Sequence, residues 1–384
     1  MLNNENLPHF SPRVLTVSES RTTRISTMAH QLREKGKDII SLAVGEPDFD
    51  TPDEVIQATT EALQAQATRY GPVAGIDPLR CQLAHNFEGY GADNIIITNG
   101  AKQALFTLFQ VLCQPGDEII LPSPCWVSFA EQIKLAGGRP VMVDTVDHQI
   151  DPSIIEKAVT DGTKAILINS PNNPTGAVYP RQALARVAAI AEKHHLYLIS
   201  DEAYHAYTFD GRSHMGLFDT GVGHRELVIT VRSFSKHYNM TGFRIGYVAA
   251  HPRIVDAMAK LQSHISGNVC TFAQYGALAA LQIDQSVVDQ RCKILEQRRD
   301  LALELSRELF DCVKPHGAFY LFPDVSRHLK DGETSEDLAM RLLDEAGVAV
   351  VPGEAFGLPE HIRISFGAKE TELQSAFERI KKAL

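Results

Sequence analysis

Four clusters of reactive side chains follow short apolar runs in this 384-residue sequence. Behind the isoleucines at 95–97 come Thr98-Asn99-Gly100-Ala101-Lys102. A small-residue turn opening a helix leaves backbone N–H groups free at the positive end of the helix dipole, which suits a phosphate. Lys102 in that first turn opposes the dipole, a cost that a nearby anion offsets. An ordinary strand-to-helix turn is the plainer alternative. The run at 166–168 leads into Asn169-Ser170-Pro171-Asn172-Asn173-Pro174-Thr175-Gly176, a rigid turn whose paired asparagines can serve as hydrogen-bonding arms. The run at 198–199 leads into Ser200-Asp201-Glu202-Ala203-Tyr204. A carboxylate against an apolar run is costly without a cation beside it, unless Asp201 caps the next helix. Finally, Arg232-Ser233-Phe234-Ser235-Lys236 follows the run at 228–231, with Arg244 further along. A partly desolvated lysine has a lowered pKa and becomes a nucleophile suited to Schiff-base formation, and Ser233 with Arg244 can grip a phosphate. A solvated surface lysine is the alternative there.

Together these clusters offer a phosphate cradle, a buried acid, a phenol and a reactive lysine. Pyridoxal phosphate (PLP) asks for that set: a lysine for its aldehyde, an acid for its pyridinium nitrogen and an anion cup for its phosphate. No G-x-G-x-x-G, Walker A, H-E-x-x-H or G-x-S-x-G pattern competes.

Such clusters converge only if an open parallel sheet lines them up, because ligands of these sheets sit beyond the carboxyl ends of the strands. The runs at 95–97, 119–121, 141–143, 166–168, 196–199, 227–229 and 245–248 are continuous rather than alternating, as strands buried on both faces are. Between several of them lies helical spacing, as in Ala101, Ala104, Leu105, Leu108, Val111 and Leu112. The alternation predicts an α/β fold: a mostly parallel sheet of seven strands covered on both sides. Past residue 285 the pattern changes to a long charged helix at 285–309, strands at 318–322, 348–351 and 362–365, and helices at 335–345 and 369–384. That is a smaller α+β unit. At the other end, 18–27 reads as a mobile arm or loop and 27–37 as a short helix.

A single core stops growing near roughly 250–300 residues, so a large domain with a smaller companion is expected of this length. The expected limits are 1–44 for an N-terminal arm and part of the small domain, 45–285 for the large cofactor-binding domain and 286–384 for the small C-terminal domain. Set against 47 acidic residues, 37 basic ones leave a net charge of −10, which argues against nucleic-acid binding because that needs clustered Lys and Arg. Cys81, Cys113, Cys125, Cys270, Cys292 and Cys312 form no C-x-x-C pair, so neither a metal site nor a disulfide framework is signalled. Residues 1–6 show no basic and apolar leader, and no apolar run approaches the ~20 residues of a membrane helix. A cytoplasmic enzyme acting on small molecules, away from membranes, is the expectation.

Seven ordered motifs make the reading specific. They are G-E-P-D-F-D (45–50), Y-G-P-V-A-G-I-D-P-L-R (70–80), N-G-A-K-Q-A-L (99–105), S-P-N-N-P-T-G (170–176), S-D-E-A-Y (200–204), S-F-S-K (233–236) and M-T-G-F-R-I-G-Y (240–247). On these the chain resembles, from about residue 14 to its C-terminus, the fold-type-I class I/II aminotransferases, above all the bacterial aspartate aminotransferase subgroup. The resemblance implies PLP bound through Lys236, with Asp201 on the pyridinium nitrogen and Tyr204 and Asn173 on the ring's phenolic oxygen. It implies that Trp126, the single tryptophan, stacks on the ring. The phosphate would meet the backbone of Gly100, Ala101 and Lys102, the side chains of Ser233, Ser235 and Arg244, and Tyr70 of a neighbouring subunit. A homodimer with shared sites is thereby implied. Arg363 would clamp the substrate α-carboxylate, helped by Asn173 and the backbone at Gly45, with Trp126 also against the substrate.

The implied reaction moves an amino group between an L-amino acid and a 2-oxo acid such as 2-oxoglutarate. Aspartate or glutamate is the expected donor type, with aromatic amino acids or prephenate as a wider range. Other PLP chemistry on the same scaffold, such as β-elimination, decarboxylation or amino-acid oxidation, uses the same cofactor residues and stands as the alternative. The PLP-sensing half of a transcription regulator is disfavoured by the absence of spare length and basic charge. Departures from the family pattern include Phe243 where tryptophan is common and His205 where an acid often sits. No arginine lies in 264–269, where some dicarboxylate-specific relatives supply one, and Lys102 is left as the cation for a side-chain carboxylate. Arg21 and Arg24 are expected to line the entrance and select a distal charge.

Overall fold

Continuous apolar runs become strands whose neighbouring residues enter two different cores. The computed structural model describes residues 11–19, 21–221 and 223–384; the opening residues 1–6, read above as lacking a leader, lie outside them. After a short β1 (Ile40–Ser41) come β2 (Ile95–Thr98), β3 (Glu118–Ser123), β4 (Arg139–Asp144), β5 (Thr163–Asn169), β6 (Tyr197–Asp201), β7 (Val228–Ser233) and β8 (Gly246–Ala249). The last seven form one sheet in the order β2-β8-β7-β6-β5-β3-β4. Only β8 runs against its neighbours in this sheet. Ile95 and Ile97 pack into the core on one face, together with Ile120, Ile166, Leu198 and Val228. Ile96 points into the other, with Ile119, Leu121, Leu167, Ile199 and Ile229. Period-two pleating sends consecutive side chains to opposite faces, so a sheet covered on both sides needs every position apolar.

Helices supply the cover. In chain order they are α1 (Pro12–Leu15), α2 (Arg21–Glu34), α3 (Asp53–Gln64), α4 (Asp77–Ala84), α5 (Gly100–Leu112), α6 (Val127–Leu135), α7 (Pro152–Lys157) and α8 (Arg181–Lys193). They continue with α9 (Pro252–Ile265), α10 (Thr271–Ala280), α11 (Gln285–Ser306), α12 (Ser335–Glu345) and α13 (Glu370–Ala383). Apolar residues of α5, α6 and α9 enter one core, and those of α4, α8 and α10 the other.

A further core joins the two ends of the chain. Ile40 and Leu42 pack there with Tyr320, Leu321, Leu342, Val348, Ile364 and Ile380. Its strands are β9 (Tyr320–Leu321), β10 (Val348–Ala349), β11 (Val351–Pro352) and β12 (Ile362–Ser365). β1 pairs with β10 in parallel, while β12 sits between β11 and β9 in an antiparallel sheet.

Two expectations about local structure are corrected. The stretch expected to be a loop at 18–27 is helical from Arg21 onward. Ile25 and Ala29, one turn apart, are both 1% exposed, and Ser26 Oγ bonds back to the Thr22 carbonyl at 3.1 Å. Tertiary burial thus overrides the weak helix propensity of Thr and Ser. The single strand expected at 348–351 is two, because the chain leaves β1 and joins β12 across the buried Val350.

Candidate active site

The parallel strands run longer than their apolar cores, and the added residues are the polar ones. Asn169 ends β5 and Asp201 ends β6, facing each other in register, while Ser233 ends β7. Their side chains line one cavity of about 370 Å³ at the carboxyl edge of the sheet. Ala101, Lys102, Trp126, Asn173, Tyr204, Ser235, Lys236 and Arg244 line it from that side. Arg363 and Tyr320 face it from β12 and β9, with Gly45 on the connecting chain.

Lys236 is half-buried in the cavity wall, and its Nζ donates to the Gly45 carbonyl at 2.6 Å. Burial pushes its pKa down to about 8; the pull of Glu46 is the next influence and opposes it, while Arg363, Arg244 and Lys102 each add a smaller cationic repulsion. That raises the neutral fraction at pH 7 to about a tenth, far above that of an ordinary lysine, and the neutral amine is the nucleophile. Burial pushes Asp201 up to about 7, although its Oδ1 accepts from the Ala203 N–H at 3.1 Å and Lys236 pulls the other way. The helix-capping alternative for Asp201 does not hold, since no helix directly follows β6 and that contact only closes a turn. It leaves an acid 4% exposed without an ion-pair partner among the described residues.

The phosphate-type cradle is built from backbone. Gly100, at φ +78, starts α5 in the left-handed region, where a Cβ would lie 2.6 Å from Arg244 Nη2. Gly246 is similarly tight, since a Cβ there would meet the Ala101 nitrogen at 2.7 Å. Arg244 itself adopts φ 56, a strained value for an arginine that costs of order 1–3 kcal/mol. Strain of that size persists when the surrounding structure fixes a side chain for a purpose. Here the guanidinium lies over the first turn of α5, beside Ser233 and Ser235.

Arg363 is 4% exposed. It donates to Asn173 Oδ1 and the Ala43 carbonyl at 2.9 Å each. Its Nε has no hydrogen-bond partner among the described residues. A buried guanidinium with neutral acceptors and a donor left over is a seat for a carboxylate. Lys102 lies 5.0 Å from the centre of the Trp126 ring, and burial together with Arg244 lowers its pKa.

These observations fit PLP: a buried amine, an acid held for a cationic nitrogen, a strained anion cradle and an orphaned donor on the substrate side. Among the described residues, no group of three or more His, Cys, Asp and Glu could hold a metal ion.

Most of the residues singled out in the sequence meet in this cavity. Gly100 contributes the turn beneath it. Tyr70 does not line it; the side chain is 98% exposed and stands beside Thr271, Tyr275 and Leu278. Arg21 and Arg24 do not line it either, because both pair with Glu336 near the start of α12. The same helix presents Thr22, Thr23 and Ser26 to the cavity instead. Those three were hidden in a segment that reads as a loop. Tyr320 was hidden in the apolar run at 318–322, where only its hydroxyl marked it as more than core.

The model of the family described as Aminotransferase class I and II matches residues 37–380. The chain is 38% identical over 382 residues to an aspartate aminotransferase of Bacillus subtilis, covering 96% of this chain and 97% of that protein. It is 40% identical over 386 residues to an aspartate/prephenate aminotransferase of Thermus thermophilus, covering 97% and 98%. A solved structure of the Thermus thermophilus aspartate aminotransferase with maleate superposes with a TM-score of 0.93 at 39% identity, covering 98% of this chain and all of that one.

Proposed function

Because the chain belongs to the class I and II aminotransferases and is a PLP-dependent transaminase of fold type I, we propose that it moves the amino group of L-aspartate to a 2-oxo acid such as 2-oxoglutarate. Relatives named for aspartate and for prephenate support an acidic substrate range. The observation that carries the reading is charge: Lys102, Lys236, Arg244 and Arg363 converge on one cavity whose described lining holds a single acid, Asp201. Three anionic groups, a phosphate and two carboxylates, account for that excess.

PLP, when bound, takes up the substrate amino group through its aldehyde and withdraws electrons from the substrate Cα. The protein's residues do the rest. Backbone N–H groups at 100–102 with Ser233, Ser235 and Arg244 hold the phosphate. Asp201, raised to about 7 by burial, would hold a proton on the pyridine nitrogen, and such a cation would draw the carboxyl down. Tyr204 and Asn173 would hydrogen-bond the phenolic oxygen, and Trp126, which also lines the cavity, would pack against the ring. Arg363, fixed by Asn173 and Ala43, grips the α-carboxylate and so orients the Cα–H bond toward Lys236. Lys236 would hold the cofactor at rest, and its neutral amine would accept the Cα proton. Lys102 receives the distal carboxylate.

The same reading makes 45–285 the cofactor-carrying unit and joins 1–44 to 286–384 as the second. The pairing of β1 with β10 supports this. It also makes the molecule a homodimer, supported by the exposed Tyr70, Ile56, Leu63 and Tyr275 around α3 and α10. The six free cysteines favour a cytoplasmic setting; among the described residues no helix is long and apolar enough to cross a membrane.

Lys102→Ser tests the substrate assignment. The kcat/KM for aspartate is expected to fall about a hundredfold, and that for alanine by less than about threefold, because only the charge-assisted pair is lost. Equal losses for both substrates would sink the role of Lys102.

A further inference from the structure

Tyr320 occupies a position that the reading above leaves without a task. It is completely buried on β9. Its hydroxyl lies 2.9 Å from that of Tyr204, and its ring stands 4.3 Å beneath the Arg363 guanidinium. Tyr204 also takes a hydrogen bond from Asn173 Nδ2 at 3.4 Å, and Asn173 Oδ1 accepts from Arg363 at 2.9 Å. The four side chains therefore close a circuit: Arg363, Asn173, Tyr204, Tyr320 and back to Arg363. In the proposed reading two of its stations serve the cofactor oxygen and one the substrate carboxylate, whereas Tyr320, also in the cavity wall, has been given no role.

We propose that Tyr320 is a positioning residue that couples the carboxylate clamp to the cofactor-facing phenol, its ring and its hydroxyl doing separate work. The inference rests on the PLP-transaminase reading. The ring is a platform for Arg363. A guanidinium this buried, with neutral acceptors, is favoured by the negative face of an aromatic ring, which also fixes its plane before a carboxylate arrives. Phe356 adds a second, more distant face at 5.2 Å. The hydroxyl acts on Tyr204. When Tyr320 O–H donates to the Tyr204 oxygen, the Tyr204 O–H is polarised and becomes a stronger donor toward the phenolic oxygen of the cofactor. Burial already holds both phenols protonated, so each remains a donor across the working pH range.

Two substitutions separate the roles. Tyr320→Phe keeps the platform and removes the hydroxyl. In the PLP-loaded protein its visible absorbance should titrate with a midpoint raised by about 0.3 pH unit, since cooperative strengthening is a modest fraction of one charge-assisted hydrogen bond. Its Kd for an unreactive dicarboxylate such as succinate, read from the same absorbance, should stay within about twofold. Tyr320→Leu removes both, and the Kd for succinate should rise about tenfold with the loss of the cation–π contact. An unmoved midpoint in Tyr320→Phe, or a dicarboxylate Kd unchanged in a folded, PLP-loaded Tyr320→Leu, overturns the coupling. A parent protein that takes up no PLP and shows no visible band would instead overturn the transaminase reading.

Discussion

At the scale of single residues, the site works by keeping two groups away from their ordinary protonation. Lys236 is depressed to about 8 and Asp201 raised to about 7 by the same cause, removal from water. For Asp201 the consequence is measurable as stability. Below 3.8 the carboxyl is protonated whether the chain is folded or not, so its titration costs nothing. As pH rises from 3.8 to about 7, the unfolded chain ionises while the folded one holds its proton, and folding is progressively penalised. Above about 7 the penalty is complete. The cofactor-free Asp201→Asn variant lacks this titration. Its stability relative to the parent should therefore climb across that window and then level off, as urea unfolding at a series of pH values would reveal. A flat difference across the window would mean that Asp201 is not desolvated. A cationic pyridine nitrogen removes the penalty, so cofactor binding and the buried acid support each other.

At the scale of elements, the strand termini and the start of α5 do the placing. Gly100 needs its positive φ and its missing Cβ at once. Gly100→Ala should lower stability by about 1–2 kcal/mol through the left-handed backbone, and displacing Arg244 should weaken PLP binding about tenfold. Denaturant unfolding and a PLP titration measure the two separately; an unchanged PLP affinity would show that Arg244 is not part of the cradle. This scale also shows what could be read in the sequence. The strand interiors were legible because burial on both faces leaves runs such as Ile95-Ile96-Ile97 without a polar residue. Their ends were not: Asn169, Asp201 and Ser233 belong to the ladders, yet polarity alone places them in turns. The lysine, acid and anion cradle stood out because each broke a local rule. Tyr320 and the hydroxyls of α2 broke none, since a tyrosine in a strand and threonines in a polar stretch are unexceptional. Arg21 and Arg24 misled for the opposite reason. Their charge suggested a ligand, and their partner, Glu336, is more than three hundred residues away in the chain.

At the scale of the whole molecule, an acidic surface surrounds a cationic site. The net charge of −10 describes the exterior, while four cations are gathered into one cavity. The proposed homodimer would use Tyr70, 98% exposed on its own subunit, to complete the site of the second copy. Mixing inactive Tyr70→Ala protein with inactive Lys236→Ala protein should then restore activity. In a hybrid dimer the Lys236 of one subunit meets the Tyr70 of the other, and free exchange leaves roughly a quarter of all sites whole. Failure to recover activity after verified subunit exchange would place Tyr70 outside the shared site. The most direct measurement is a single half-reaction, with PLP-loaded protein mixed with L-aspartate and no oxo acid present. Amino-group transfer requires oxaloacetate to appear at about one equivalent per Lys236, to stop there, and to resume when 2-oxoglutarate is supplied. Sustained release of ammonia, carbon dioxide or peroxide without an acceptor would contradict it.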